Sequence, residues 1–335
     1  MTAIPKFRLA RMAILVLLSP AACDRFGQAR NADRDVRIFV VGPSQDDETW
    51  PVLGATIRQF EGNFPYVHVE LSAPLNRTAE EQRLILETFL HHPPQAMVIM
   101  PVDPYALPPV INRLVKNGTS VVMVGRDVPD SARTAFCGVS EFEIGTAIAA
   151  ACDQVLKGRS RTVMLLHGGT VGDIEASRYF GFKQGAALKG PMKVLREVDG
   201  GNDAIESARL ARIESRRYPR IGCWAMLDDW PLRVTPDGDR LLPLGVTMVL
   251  PSFDSAHWDR LQSGQIQAIV TYDVQKAIDR ALMTALSCAN GDNVMRQSLI
   301  PAEIITELEL SDLQDRWALW RKGIPSSELS AGSAE

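Results

Sequence analysis

Short apolar, β-branched runs alternate along this chain with longer stretches whose apolar residues recur every three or four positions. Runs at 36–41, 67–71, 96–100 and 120–124 read as strands, and the intervening 50–63, 79–91 and 105–116 read as amphipathic helices. A second set repeats the beat. Strands are expected at 135–139, 162–166, 194–198, 221–226 and 246–250, with helices at 141–156, 175–188 and 204–216 between them. Asn117 with Gly118, Lys157 with Gly158, and Lys189 with Gly190 and Pro191 supply helix stops.

Strand and helix in regular alternation, joined compactly, predict parallel sheets covered by helices on both faces. Beyond the second set, 259–263 reads as the end of a helix, 266–271 as a strand, and 274–289 and 310–320 as helices. The expected fold class is α/β, with two Rossmann-like lobes. Gly, Ser and Ala dominate after Gly323, so 323–335 reads as a flexible tail.

At the other end, Lys6, Arg8 and Arg11 precede an apolar run at 12–18, and Ser19, Ala21 and Ala22 lead into Cys23. That run is too short to cross hydrocarbon as a helix, which takes about 20 apolar residues, but it suits the core of a secretory signal. The ending Pro20-Ala21-Ala22-Cys23 resembles the lipobox of bacterial lipoproteins, departing from it at Pro20, where a leucine is usual. The resemblance implies a signal peptide over 1–22, lipidation at Cys23, and a protein held at the periplasmic or cell-envelope side of a membrane by its lipid alone.

Composition narrows the classes further. With 36 basic and 40 acidic residues the formal net charge is −4, and no long basic run is present, which speaks against nucleic acid as a partner. Cys137, Cys152, Cys223 and Cys288 form no CxxC pair and no zinc-like spacing with histidine. Four cysteines permit three full pairings, Cys137 with Cys152 among the candidates, and buried free thiols are the expected state. The string His167-Gly168-Gly169-Thr170 is similar to an oxyanion loop, yet the chain has no GxSxG elbow, no GxxxxGK[ST] phosphate loop and no HExxH pair. Neither an enzyme, nor a cofactor, nor a metal site is expected.

Four dispersed segments carry a family resemblance: VVMVGRDVPDS (121–131), CGVSEFEIGTAIA (137–149), SRYFGFKQGA (177–186) and SFDSAHWDRLQSGQIQAIVTYD (252–273). In this order they resemble the type I periplasmic binding proteins of the ribose-binding, sugar-transporter group. The resemblance implies three chain crossings between lobes, near Val139, Tyr272 and Ile305. One lobe would hold 36–138 plus 273–304, and the other 139–272 plus 305–322. It also implies closure of the lobes over a ligand seated beyond the carboxyl ends of the strands.

Sugars present vicinal hydroxyls at their edges and C–H groups on their faces, so recognition calls for guanidinium donors, carboxylate acceptors and an aromatic platform. By the resemblance, Arg126 and Arg178 donate, Asp254 accepts, and Trp50 stacks, with Asp47 in the same loop as Trp50. Leu227 occupies the approximate place of a family asparagine, with Asp228 or Trp230, a small shift away, as the residue to serve in its stead. Tyr272 replaces a glutamine, and Gly125 stands where the ribose binders carry the aspartate of an Asp-Arg pair. Pro231, Pro236 and Pro243 preclude a regular helix over 231–243. The implied role is a monomeric extracytoplasmic solute-binding lipoprotein that takes a sugar or related polyol to an ABC permease. The alternative is a sensor that reports occupancy to a membrane kinase or chemoreceptor without transport.

Overall fold

Two six-stranded sheets carry the chain. The computed structural model describes residues 35–157, 161–169, 172–188, 192–253 and 255–324, so the leader with Cys23, Asp254 and the tail beyond Ile324 lie outside the described residues. In chain order the first elements are β1 (Val36–Val41), α1 (Trp50–Asn63), β2 (Val67–Ser72), α2 (Ala79–Thr88), β3 (Ala96–Ile99), α3 (Pro108–Lys116), β4 (Ser120–Gly125) and β5 (Ala135–Gly138). The chain continues through α4 (Glu141–Val155), β6 (Thr162–His167), α5 (Asp173–Leu188), β7 (Lys193–Asp199), α6 (Ala204–Arg217), β8 (Cys223–Met226) and α7 (Trp230–Arg233). It ends with β9 (Thr247–Pro251), α8 (Trp258–Gln262), β10 (Ala268–Tyr272), α9 (Val274–Ala289), β11 (Gln297–Leu299), β12 (Ala302–Ile305) and α10 (Leu310–Trp320).

The first sheet has the order β11-β5-β4-β3-β1-β2 and is parallel throughout. The second has the order β12-β10-β9-β8-β6-β7, with only β12 running antiparallel, against β10. Central strands β3, β5, β8, β9 and β10 are buried at every position. That is why they read as continuous apolar runs and not as alternating ones. Helix starts follow ordinary capping chemistry. Thr78, Ser140, Asp203 and Asp273 each accept a hydrogen bond from the backbone N–H three residues on.

Some elements differ from the sequence pattern. The helix expected over 79–91 stops at Thr88, because His92 precedes Pro93 and the residue before a proline disfavours helical geometry. The helix expected from 105 begins at Pro108, where the missing proline N–H costs nothing. Strands β11 and β12 carry no sequence signal of their own, being three and four residues long and mostly unburied.

Those two short strands fix the third crossing. Leu299 pairs with Gly138 in the first sheet, while Ala302 pairs with Tyr272 in the second. The chain therefore changes lobes at Ile300 and Pro301, a few residues before the expected Ile305, and 302–304 belong with the second sheet. Pro301 has no N–H to leave unpaired at the changeover, and the flanking amides are held by the Gly138 carbonyl (2.8 Å) and by Glu143 Oε1 (2.8 Å). The other two passages follow Gly138 and Tyr272. Helix α9 then packs back on β3, β4 and β5 of the first sheet.

Cys137, Cys152 and Cys223 are buried thiols. Cys137 Sγ faces the Thr284 hydroxyl at 3.7 Å, and Cys152 Sγ faces Cys223 Sγ at 3.8 Å, so the fold does not bring Cys137 to Cys152.

Candidate functional site

Helices α4 and α5 build the first part of the site by approaching unusually closely. A Cβ added to Gly145 would lie 2.0 Å from the Arg178 carbonyl oxygen, and one on Gly181 would lie 2.0 Å from that of Phe142. Only glycine permits such contact. The approach sets Arg178, on α5, against Glu141 at the start of α4.

Arg178 is 4% exposed. Its Nε donates to Glu141 Oε2 (2.7 Å), and its Nη1 donates to the Leu227 carbonyl (2.5 Å) and to Asp228 Oδ1 (2.6 Å). Nη2 lies 2.5 Å from Glu141 Oε2. Burial opposes the guanidinium charge, but the facing carboxylates of Glu141 and Asp228 outweigh it and hold its pKa above the usual value. Asp228 responds in the opposite sense. Burial pushes it up to about 6 against the attraction of Arg178, and the negative charges of Glu141 and Asp229 push the same way. Asp229 is driven up by burial too, yet the His257 ring, with Nε2 3.3 Å away, and a hydrogen bond from Arg233 prevail and leave it below the ordinary carboxylate value.

These groups line one wall of a cleft of about 410 Å³ between the two sheets. From the first lobe it receives Asp47, Thr49, Arg77, Met100 and Arg126, and from the second Trp230 and Phe253 in addition to the carboxylates. Tyr272, at the end of β10 where the chain crosses, lies between them. Its ring sits 5.4 Å from that of Phe253, centroid to centroid, and the side chain is 7% exposed. Among the described residues its hydroxyl has no hydrogen-bond partner, and burial, then the Glu141 charge, raises its pKa.

Asp47 is already engaged, Oδ1 by the Thr49 amide (2.9 Å) and Oδ2 by Arg77 (2.5 Å). Arg126, half-buried, has no carboxylate partner among the described residues, and it faces both the cleft and a small recess beside His167 and Glu175. Trp50 is elsewhere. It stands at the start of α1 with its ring against Gly42 and is not among the residues lining the cleft. Asp254 lies outside the described residues.

The lobes also touch through side chains outside the cleft lining. Glu48, from the first lobe, accepts from the Ser255 amide (2.5 Å) and hydroxyl (2.5 Å) in the second. Tyr105 bonds to Glu175.

Sequence reasoning missed Glu141 and Phe253. Glu141 looks like any acidic residue in a first helical turn, where it complements the dipole, and nothing local tells that its partner lies 37 residues on. Trp230, offered by the sequence beside Asp228 in place of the family asparagine, lines the cleft together with it.

The chain belongs to the family described as periplasmic binding protein domain, whose model matches residues 38–293. No match is found among curated proteins. Among solved structures, the arabinose binding protein from Geobacillus stearothermophilus is 18% identical, covering 83% of this chain and 99% of that one, with a TM-score of 0.69. An ABC transporter solute binding protein from Bacillus halodurans with bound myo-inositol is 18% identical, covering 85% and 99%, with a TM-score of 0.63. A putative LacI transcriptional regulator from Bacteroides fragilis is 12% identical, covering 83% and 99%, also at 0.63. At these identities the likeness is one of fold, and transport proteins and a regulator share it.

Proposed function

We propose that this protein captures a sugar or related polyol in the cleft between its lobes and delivers it to an ABC importer. It would do so from the outer face of a membrane, held there by a lipid on Cys23. The observation that carries the reading is the cleft itself. It offers a volume of about 410 Å³, lies at the carboxyl ends of parallel strands, and combines carboxylates, guanidinium groups and aromatic rings. Membership of the periplasmic binding protein family and the fold shared with sugar-binding structures support it.

Among the described residues the charges lining the cleft balance, which suits a neutral guest. Arg77 meets Asp47, Arg233 meets Asp229, and Arg126 offsets the extra carboxylate of the Glu141, Arg178 and Asp228 cluster. The direct ligand contacts we assign are the Arg126 guanidinium, the Tyr272 hydroxyl and the free oxygen of Asp228, with Trp230 and Phe253 against the apolar faces. Arg178, saturated by protein groups, holds the carboxylates in place and offers the guest at most an edge. Asp47 has its oxygens partly committed to Arg77 and Thr49 and contributes a polar rim.

A thermal-shift screen over pentoses, hexoses, inositols and amino sugars tests the proposal, because a ligand that binds only the folded form must raise the midpoint. A hit whose effect is lost in Tyr272→Phe and Arg126→Ala supports it. A panel with no hit counts against a polyol ligand.

A further inference from the structure

Beyond the cleft, α6 and the proline-rich stretch before β9 enclose a second hollow of about 350 Å³. Arg212, Arg216 and Arg240 line it, Leu241 and Leu242 form its buried base, and Leu244 stands at its edge, 85% exposed. It lies at the opposite end of the second sheet from the cleft. Asp228 and Phe253 of the cleft follow the carboxyl ends of β8 and β9, whereas Arg216 closes the helix leading into β8, and 240–244 lead into the start of β9.

The charge arrangement is what sets this hollow apart. Nearby arginines find carboxylates: Arg209 meets Glu206 at 2.6 Å, and Arg196 and Arg217 both meet Glu214, at 3.3 and 3.8 Å. The three that line the hollow do not. Arg212 reaches only the neutral Thr235 hydroxyl at 3.4 Å, while Arg216 and Arg240 have no hydrogen-bond or ion-pair partner among the described residues. No carboxylate lines the space among those residues either. Arg212 and Arg216 stand four apart on one helix face, a spacing at which like charges repel. Three cations converging on one hollow, in a chain of net charge −4, form an arrangement that an anion would relieve.

We infer that this hollow is a binding site for a phosphate group. Guanidinium forks from two separate elements, a helix and a loop, can each take two phosphate oxygens, which a point charge cannot match. The volume leaves room for the polyol or glycerol to which the phosphate is esterified. Two sources present this chemistry, a soluble phosphate ester and the headgroup of an anionic phospholipid.

The test uses the full chain, with Arg216→Ala/Arg240→Ala as the variant. Both side chains are exposed, so the unliganded variant keeps its melting midpoint. Inorganic phosphate and glycerol 3-phosphate, at constant ionic strength, are the soluble probes in a thermal-shift titration. Flotation with phosphatidylcholine vesicles, with and without phosphatidylglycerol, probes the lipid source. The difference between the two vesicle types is read, so that insertion of an anchor cancels. A midpoint rise with a soluble probe that needs at least about tenfold more ligand in the variant supports the site and a soluble ester. A preference for phosphatidylglycerol vesicles that the variant loses supports the site and a headgroup. No response to any probe, or a response that the variant keeps in full, overturns the inference.

Discussion

The Tyr272 hydroxyl lies 3.0 Å from the point that a Cβ on Gly125 would occupy, and Gly125 itself sits at φ +79°. Positions 125 and 272 are therefore sterically coupled. A side chain at 125 and a tyrosine at 272 would compete for the same space at the cleft wall. We predict that Gly125→Ala costs about 1–2 kcal/mol from backbone conformation alone, plus the contact with Tyr272. Urea unfolding of Gly125→Ala alone and in a Tyr272→Phe background separates the two, since removing the hydroxyl abolishes only the second part.

Arg178→Ala is expected to destabilise the unliganded fold by about 3–5 kcal/mol, because it strands two buried carboxylates without their cation. The resemblance alone casts Arg178 as a ligand donor. Its burial between Glu141 and Asp228 gives it a structural duty first. Chemical denaturation of Arg178→Ala beside Arg126→Ala checks this. The first should lose much of its stability and the second little.

Asp228 makes stability depend on pH in an unusual direction. Its folded-state value, about 6, lies above the ordinary 3.8, so the folded protein holds this proton more tightly than the unfolded chain does. Its contribution is therefore most favourable at and below pH 3.8, declines as pH rises towards 6, and is level above that. Subtracting the stability-against-pH curve of Asp228→Asn from that of the wild type isolates the effect. The difference should fall between pH 4 and 6.

Gly145→Ala should separate α4 from α5, because the new methyl carbon would lie 2.0 Å from the Arg178 carbonyl oxygen. Overpacking of this kind costs about 1–3 kcal/mol or more. It would also move Arg178 off Glu141, so ligand affinity should fall together with the melting midpoint. Gly62→Ala, which meets nothing within 4 Å on an exposed helix face, serves as the control and should be neutral or slightly stabilising.

The two-sheet fold was legible because its central parallel strands are uninterrupted apolar runs, and they stood with the less buried strands at the right intervals. Strands β11 and β12 were not legible, since pairing at a sheet edge needs no apolar signature, and the position of the third crossing was lost with them. For the site, of the residues placed by their position in a known order, Asp47, Arg126, Arg178, Asp228 and Tyr272 line the cleft. The same reasoning carried Trp50 by position alone, whereas its ring lies against Gly42. What sequence could not reveal was how the charges divide. Arg178 is held by Glu141 through the close approach of two helices at Gly145 and Gly181, a relation between residues far apart in the chain, while Arg126 has no carboxylate partner among the described residues.

The central claim, that the cleft encloses one small hydroxyl-rich guest, is tested most directly by calorimetric titration of the purified protein with each member of the polyol panel. The account predicts saturable one-to-one binding of at least one neutral polyol, weakened about tenfold by Tyr272→Phe through loss of one buried hydrogen bond. Absence of heat with every neutral polyol, or binding that Tyr272→Phe and Arg126→Ala leave unchanged, would contradict it.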